Sequence, residues 1–360
     1  MRIVVIGAGV IGLSIADALA RRGVRDLVVL EAGDHPFEAA SGRGLGWVNA
    51  SNKTPREYFA LNAAGLRAHR DRSARSPSPW FTESGTLTTG HYRQGFAERT
   101  RHLEQWGYPL HRTRLHEVFR DRGLALPHVA DEEAVLYPEE GWLDPALYVR
   151  HCLSGLGAGT VRTSSPVRSI AHEANGYTVV TDRERLHADA VVNAAGLGAP
   201  AVAAMLGRTL PLTSRPGLVV RVRTGDPVTP LVVMHELLDI RPTGGTTYLL
   251  HSDAVDAHLG QADGTAAPPA DAVEELLGRA SAFHSGFDGA DLVAARVGVR
   301  PLPRDGMPIL GGMAELPGYY EAVMHSGITL GPAIGDLLAE CILERSIAPD
   351  APAMFHASRY

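Results

Sequence analysis

The chain is short of lysine, of cysteine and of long apolar runs, and these shortages exclude several classes of protein. Lys53 is the only lysine, and the 34 basic residues are outnumbered by 40 acidic ones to give a net charge of −6, which argues against a nucleic-acid partner. The two cysteines, Cys152 and Cys341, have no CxxC spacing, so neither a disulfide framework nor a cysteine zinc site is expected. The histidines show no HxxxH spacing, and no metal site is predicted.

Length and composition describe a globular protein of two domains. Apolar residues make up 45% of the chain and charged residues 21%, close to the globular average. A single hydrophobic core stops growing near roughly 250–300 residues, so 360 residues favour two domains. No run approaches the roughly 18 apolar residues of a membrane span. A glycine motif begins at residue 7 and leaves no room for a secretory signal before it, so we expect a soluble, cytoplasmic protein with no membrane partner.

Residues 2–31 carry the signature of a dinucleotide-binding fold. Residues 3–6 are an apolar run, which predicts a strand buried on both faces of a parallel sheet. Gly7, Gly9 and Gly12 follow directly as GxGxxG, a spacing that makes a tight turn, lets a pyrophosphate approach the backbone and packs a helix on the strand. Glu31 ends a second apolar run, where a carboxylate accepts hydrogen bonds from an adenosine ribose and repels a 2′-phosphate. NADP is therefore disfavoured, while NAD and FAD stay open.

Other material interrupts this nucleotide-binding pattern twice. Residues 39–47 are rich in small side chains that allow a flat ligand to approach the backbone. Buried strands return at 190–196 and 319–323, and a helix follows the second. Residues 50–140 and 216–295 lack dinucleotide signatures and show strand-like alternation at 217–223 and 246–250, with a helix predicted near 270–283. The Arg-, Ser- and Pro-rich residues 67–79 predict a surface loop.

Four motifs in chain order, at residues 4–31, 141–145, 191–196 and 298–311, resemble those of one family, and residues 326–333 also fit. The chain resembles the D-amino acid oxidase family of flavoproteins, most closely its glycine oxidase and sarcosine oxidase branch. The resemblance implies an α/β fold in which a Rossmann-type FAD-binding domain is interrupted by an α+β substrate-binding domain with a mixed or antiparallel sheet. The FAD-binding domain would comprise residues 1–49, 141–215 and 296–360, and the substrate-binding domain residues 50–140 and 216–295.

The resemblance also implies which residues hold FAD. Carried over position by position, they are Gly7, Gly9, Val10, Ile11, Gly12, Glu31, Ala32, Ser41, Gly42, Arg43, Gly46, Trp47, Val167, Ala195, Gly196, Arg300, Gly327, Ile328 and Thr329. Neither histidine nor cysteine stands at the positions that carry covalent flavin in the sarcosine oxidase branch, so noncovalent FAD is expected.

A substrate site beside the flavin is implied as well. Arg300 matches the family arginine that binds the substrate carboxylate, and a planar guanidinium can hold a carboxylate bidentately. The segment that carries Trp47 and Asn49 would pass the flavin, so both are expected to line the pocket, with Lys53 at its rim. A core tryptophan and a solvated lysine are equally open interpretations of Trp47 and Lys53.

His235, Asp239, Arg241 and Tyr248 form a second set of candidates, on strands expected to face the flavin. Asp239 stands where the glycine oxidase branch has a tyrosine that binds the substrate carboxylate, and a carboxylate there would attract an ammonium or a hydroxyl instead. Tyr248 stands near the lysine that assists oxygen reduction in the sarcosine oxidase branch. We predict that Arg300, Asn49, Tyr248 and Asp239 act on the substrate.

The expected activity is FAD-dependent oxidation of the C–N bond of a small amino acid or N-substituted glycine. Hydride would pass from the α-carbon to flavin, and the imine would hydrolyse to a keto acid or glyoxylate plus an amine, with O2 as the expected electron acceptor. Two alternatives stay open, a flavin-dependent dehydrogenase of a 2-hydroxy acid and a noncatalytic flavin-binding protein. The oligomeric state is left open.

Overall fold

The computed structural model describes residues 1–92, 94–260 and 266–360. Its strands are β1 Ile3–Ile6, β2 Leu27–Leu30, β3 Trp47–Val48, β4 Phe81–Thr82, β5 Thr86–Thr89, β6 His111–Arg114, β7 Glu133–Tyr137, β8 Gly141–Leu143, β9 Val161–Arg162, β10 Val167–Glu173, β11 Gly176–Thr181, β12 Arg185–Ala188, β13 Ala190–Asn193, β14 Leu212–Arg223, β15 Val232–Met234, β16 Asp239–Gly244, β17 Thr247–His251, β18 Asp291–Pro303, β19 Ile309–Gly312 and β20 Tyr319–Val323. Its α-helices are α1 Val10–Arg21, α2 Ala40–Arg43, α3 Arg56–Ser73, α4 Phe96–Gln105, α5 Leu115–Asp121, α6 Pro145–Ser154, α7 Ala199–Ala204, α8 Asp253–Asp256, α9 Ala270–Phe283 and α10 Gly327–Leu343. None of the helices within these described ranges is long and apolar enough to cross a bilayer.

A six-stranded sheet organises the part of the chain that carries the glycine motif. Its order is β19-β20-β13-β1-β2-β9, parallel except for β19, which runs antiparallel to β20. β1, β2, β13 and β20 are buried along their whole length, as expected of strands covered on both faces. Helices α1 and α10 pack together closely, since a Cβ at Gly335 would lie 2.4 Å from the carbonyl oxygen of Ser14. The strands predicted at 3–6 and 319–323 are confirmed, and the one predicted at 190–196 is confirmed over residues 190–193.

Helix α3 corrects the prediction of a surface loop at residues 67–79. Its buried side chains recur at helical spacing along one face, at Tyr58, Asn62, Leu66, His69 and Ser73. This face packs on α10, and a Cβ at Gly65 would lie 2.3 Å from the carbonyl oxygen of Thr329. The prediction was wrong for residues 67–73, because the arginines outside this face hid its buried stripe, and the loop occupies only residues 74–79.

An eight-stranded sheet organises the rest of the chain, in the order β18-β14-β17-β16-β15-β5-β7-β6. Its pairs are antiparallel except β15 with β5, so the predicted mixed sheet and α/β class are confirmed. The predicted strands at 217–223 and 246–250 and the helix at 270–283 correspond to β14, β17 and α9. Two small sheets, β10-β11-β12 and β3-β8-β4, complete the strand pairing.

The long strands β14 and β18 run through both parts of the molecule. Their register extends from Leu212 opposite Pro303 to Arg223 opposite Asp291. The domain boundaries predicted at 215/216 and 295/296 lie inside these two strands, so the strand pair itself joins the two parts. The division into an FAD-binding and a substrate-binding domain stays a prediction.

Candidate functional site

A cavity of about 640 Å³ is lined by residues of both large sheets. Its wall carries most of the residues predicted to bind cofactor or substrate: Gly7, Gly9, Val10, Ile11, Glu31, Ala32, Ser41, Arg43, Gly46, Trp47, Asn49, Val167, Ala195, Gly196, Asp239, Arg300, Gly327, Ile328 and Thr329. Ligand cavities typically measure roughly 300–1,000 Å³. The tertiary structure therefore brings together sequence segments that are far apart in the chain.

The glycine turn forms one region of the wall. Gly7 has φ +101°, and a Cβ there would lie 2.5 Å from the carbonyl oxygen of Ala194. A Cβ at Gly12 would lie 1.9 Å from the carbonyl oxygen of Gly7, so Gly12 sits beneath the turn rather than in the wall. Gly42 is also behind the wall, since its Cβ would lie 2.2 Å from the carbonyl oxygen of Phe37. The structure thus gives Gly12 and Gly42 a role in backbone packing, in place of the ligand contact expected of them.

Glu31 is oriented at the cavity wall by two backbone amides. The amide of Ala8 donates to Oε2 at 2.7 Å, and the amide of Gly33 donates to Oε1 at 2.8 Å. Each carboxylate oxygen can accept a second hydrogen bond. Glu31 therefore keeps the capacity to accept both hydroxyls of a ribose.

The segment that follows β3 is held by a buried carboxylate that the sequence analysis did not single out. Glu140 is completely buried and accepts hydrogen bonds from the amides of Ala50 and Ser51, at 2.9 and 2.7 Å, and from the hydroxyl of Tyr108 at 3.0 Å. Burial raises the pKa of Glu140, and these donors partly oppose the shift. Glu140 thereby fixes the backbone on which Asn49 and Lys53 reach the cavity wall.

Asn49 lies in the cavity wall and carries a buried polar atom without a partner among the described residues. Its amide donates to Oγ1 of Thr329 at 3.2 Å, which ties the segment to the start of α10. Its side-chain Oδ1 is buried and has no hydrogen-bond partner in the part of the chain that the structure describes. A buried acceptor of this kind is costly unless a ligand supplies a donor.

Trp47 and Lys53 both lie in the cavity wall. Nε1 of Trp47 donates to Oγ1 of Thr86 at 2.9 Å, which fixes the indole ring between β3 and β5. Of the two interpretations that the sequence left open for each residue, the pocket-lining one agrees with the structure.

Arg300 is largely committed to protein partners. Its Nη2 donates to Oδ2 of Asp256 at 2.5 Å and to the carbonyl oxygen of Pro216 at 3.1 Å, and its Nε donates to the carbonyl oxygen of Arg215 at 3.4 Å. Nη1 makes no hydrogen bond to any described residue. Because both hydrogens of Nη2 are used, a carboxylate ligand would meet Nη1 alone. This arrangement leaves one nitrogen for a ligand, in place of the two that the bidentate grip expected from the sequence would need.

The β16–β17 hairpin brings Asp239 to the wall together with His251, and turns Tyr248 away. Asp239 pairs with His251 across the two strands, and its Oδ2 lies 2.7 Å from Nδ1 of His251. Tyr248 packs in the core of the eight-stranded sheet, where its hydroxyl oxygen accepts a hydrogen bond from the amide of Val228 at 2.7 Å. Side chains alternate across a strand, and Tyr248 falls on the opposite face from His251. The prediction that Tyr248 acts on the substrate is therefore wrong.

His235 and Arg241 were also expected to face the flavin, and both lie elsewhere. Nε2 of His235 lies 3.0 Å from Oε1 of Glu132, and its ring packs against that of Phe283. The guanidinium of Arg241 lies 4.2 Å from the ring centre of Trp142 and donates to the carbonyl oxygen of Leu143. Burial lowers the pKa of Arg241 to about 9. Arg241 thus joins β16 to the β3-β8-β4 sheet.

His251 is the main wall residue that the sequence analysis missed. Gly244-Gly245 is a hairpin turn signal, but a two-residue turn there would place Leu250 opposite Asp239, and the observed pairing of Asp239 with His251 follows from the register irregularity between Pro242 and Gly244. Asp256, behind Arg300, carried no comparable signal.

The sequence profile of the FAD dependent oxidoreductase family, DAO, matches residues 2–341. The chain belongs to this family. It is accordingly a flavin-dependent oxidoreductase, and FAD is its cofactor.

Relatives within the family match the chain from end to end. The glycine oxidase of Geobacillus kaustophilus strain HTA426 is 27% identical over 99% of this chain and 97% of its own length. The crystal structure of glycine oxidase from Geobacillus kaustophilus superposes with a TM-score of 0.85 at 23% identity, covering 99% of this chain and 98% of that one. A structure of L-amino acid deaminase from Proteus vulgaris, with its specific insertion deleted, has a TM-score of 0.85 at 20% identity, covering 99% and 93%. At these identities the structural matches establish the shared fold.

The residues of the cavity fit FAD. Gly7, Gly9 and Val10 line the cavity at the start of α1, where a pyrophosphate would lie, and Glu31 can accept the ribose hydroxyls. Oδ1 of Asn49 offers an acceptor with no protein donor in the described ranges, which suits an N–H group of a flavin ring. These residues would hold the cofactor along the wall between the glycine turn and the eight-stranded sheet.

Proposed function

We propose that this oxidoreductase oxidises the C–N bond of a small amino acid or an N-substituted glycine. The observation that carries the proposal is Nη1 of Arg300, a charged donor at the wall of the FAD cavity with no acceptor among the described residues. Charged N–H groups form strong hydrogen bonds to carboxylates. A substrate with a free carboxylate would satisfy Nη1 and be placed in the cavity that holds FAD.

The residues of the chain position the substrate for the oxidation. Bound FAD supplies the hydride acceptor. Arg300 holds the carboxylate, so that the α-carbon is presented to the cavity. The α C–H bond breaks with its electron pair leaving as hydride, the iminium so formed releases its N–H proton to water to give the imine, and water hydrolyses the imine to a keto acid or glyoxylate plus an amine. O2 is the proposed final acceptor and would be reduced to hydrogen peroxide.

The relatives support the amino acid class. A glycine oxidase matches the whole chain in sequence, and an iminodiacetate oxidase from Chelativorans sp. BNC1 is among the proteins of the same fold. Asp239, paired with His251, adds a charged group to the wall that an amino or hydroxyl group of the substrate could approach.

Anaerobic reduction of the flavin tests the proposal directly. The FAD-loaded protein is mixed without oxygen with panels of amino acids, N-alkyl glycines and 2-hydroxy acids, and the flavin absorbance is followed. We expect bleaching by an amino acid or an N-alkyl glycine. Bleaching only by 2-hydroxy acids would replace the proposal with a hydroxy acid dehydrogenase, and bleaching by none would refute it.

A further inference from the structure

Four charged side chains form a continuous line of hydrogen bonds beside the cavity. Oδ2 of Asp239 lies 2.7 Å from Nδ1 of His251, and Nε2 of His251 lies 2.9 Å from Oδ2 of Asp256. The same Oδ2 accepts from Nη2 of Arg300, while Oδ1 of Asp256 accepts from the amide of Leu218 at 2.8 Å. Asp239, His251 and Arg300 reach the cavity wall, and Asp256 lies buried behind them.

The geometry favours a His251 that carries both ring protons. Each ring nitrogen faces a carboxylate oxygen, and a neutral imidazole would turn a lone pair toward one of them. Burial by itself lowers the pKa of His251, but the hydrogen bonds and charges of Asp239 and Asp256 outweigh burial and raise it to about 9. Asp253, on α8, also lies within 4.8 Å of this group, and it pairs at 3.4 Å with Arg215.

Protonated His251 matters to Arg300 because the two cations share one anion. Asp256 divides its charge between Nε2 of His251 and Nη2 of Arg300. If His251 loses its proton, the line Asp239–His251–Asp256–Arg300 changes from a net charge of zero to −1, and Asp256 acts on Arg300 alone. Both changes weaken the attraction of Arg300 for an anionic ligand, because the local potential becomes more negative in a partly buried site.

We propose that His251 and Asp256 are positioning residues for carboxylate recognition, with protonated His251 holding Asp256 so that Arg300 presents Nη1 to the ligand. The proposal rests on the proposed function only in taking Arg300 as the carboxylate anchor. It adds a specific dependence, in which the affinity for a carboxylate follows the protonation of a residue that the carboxylate does not touch.

The test measures carboxylate binding without turnover. Acetate is titrated into the FAD-loaded protein, and its Kd is read from the change in flavin absorbance between about pH 6.5 and pH 10. For the wild type we expect a constant Kd up to about pH 8 and a roughly tenfold rise as His251 deprotonates. His251→Gln should bind acetate about tenfold more weakly at pH 7, with no inflection near pH 9. Removing one charge close to the ligand in a partly buried site is expected to change the acetate Kd by about tenfold.

His284→Gln is the matched control. His284 is a buried histidine whose Nε2 contacts the carbonyl oxygen of Ala125, away from the cavity wall, so its replacement should leave the acetate Kd and its pH profile unchanged. Should His251→Gln not fold, imidazole proton resonances of the wild type decide instead, since His251 must then titrate near pH 9. An unchanged acetate profile in His251→Gln, or a His251 that is neutral at pH 7, would overturn the proposal.

These outcomes separate the positioning role from the proposed reaction. If acetate binding follows the predicted profile while no amino acid bleaches the flavin, the positioning role stands and the reaction is refuted. If amino acids bleach the flavin while His251→Gln leaves acetate binding unaltered, the reaction stands and the positioning role is refuted.

Discussion

Replacing Arg300 should produce two separable losses, because this side chain has two sets of partners. Arg300 lies in the cavity wall with Nη1 unbonded to any described residue, while Nη2 and Nε bind Asp256 and two backbone carbonyls. Removing a hydrogen-bonded partner of a buried charge costs on the order of 2–5 kcal/mol of binding. We therefore expect Arg300→Ala to weaken substrate affinity by roughly 30-fold or more, at about tenfold per 1.4 kcal/mol.

The second loss is in the stability of the fold. Asp256 is buried and loses one of its three donors in Arg300→Ala, although His251 and the amide of Leu218 remain. A hydrogen bond to a charged group is worth roughly 1.5–3 kcal/mol, and the two surviving donors place the expected cost near the lower end. The double variant Arg300→Ala/Asp256→Asn should recover much of this stability, because it no longer buries the underpaired charge, and should recover none of the affinity.

Three measurements distinguish the two effects in the FAD-loaded protein. Substrate or acetate Kd is read from flavin absorbance, stability from the thermal midpoint, and cofactor retention from the flavin spectrum after gel filtration. Arg300→Lys should restore affinity only in part, since a lysine ammonium cannot keep the bond to Asp256 and also reach the position of Nη1. Arg304→Ala, at an exposed arginine just beyond β18, is the matched control and should leave the ligand Kd, the thermal midpoint and cofactor retention unchanged. Normal ligand affinity in Arg300→Ala would refute the assignment of Arg300 as the anchor.

Further predictions concern the cofactor and pH. Gly12→Ala places a Cβ 1.9 Å from the carbonyl oxygen of Gly7 and should abolish FAD retention on gel filtration. Gly23 has φ +88° and open space around it, so Gly23→Ala should cost about 1 kcal/mol of stability and keep FAD. Equal FAD loss in both variants would contradict the packing argument. Glu31→Ala removes the ribose acceptor and should raise the Kd of FAD roughly 10- to 100-fold in equilibrium titrations, with exposed Glu38→Ala as the control that must stay unchanged. FAD should appear in the supernatant after acid precipitation, and flavin that stays with the pellet would show covalent attachment. Burial raises the pKa of Glu140 in the folded state. The stability that this carboxyl contributes is therefore largest below its unfolded pKa and is lost as the pH rises through its folded pKa. Thermal midpoints measured from about pH 4 to 7 should thus fall more steeply for the wild type than for Glu140→Gln. Parallel curves would show that Glu140 does not titrate in this range.

The cofactor end of the site was readable from the sequence because its determinants are local. A buried strand, three glycines at fixed spacing and an acidic residue at the end of the next strand lie within 31 consecutive residues. Each acts through the backbone next to it, as Gly7 does through its positive φ and Glu31 through the amides of Ala8 and Gly33. The resemblance to the flavoprotein family extended this reading to Arg300 and to the segment around Asn49.

The substrate end depended on contacts between residues far apart in the chain. An alternating strand pattern does not state which face meets the cavity, so Tyr248 and His251 could be separated only by the register of β16 with β17. The sequence identifies Arg300 as a cation, but its hydrogen bond to Asp256 forms only because α8 and β18 meet. In the same way, Glu140 is buried under residues 50–51 only because β8 lies beside β3. Hydrogen-bond partners of this kind are set by packing over long sequence separations, and packing decides how many of the donors of Arg300 remain for a ligand.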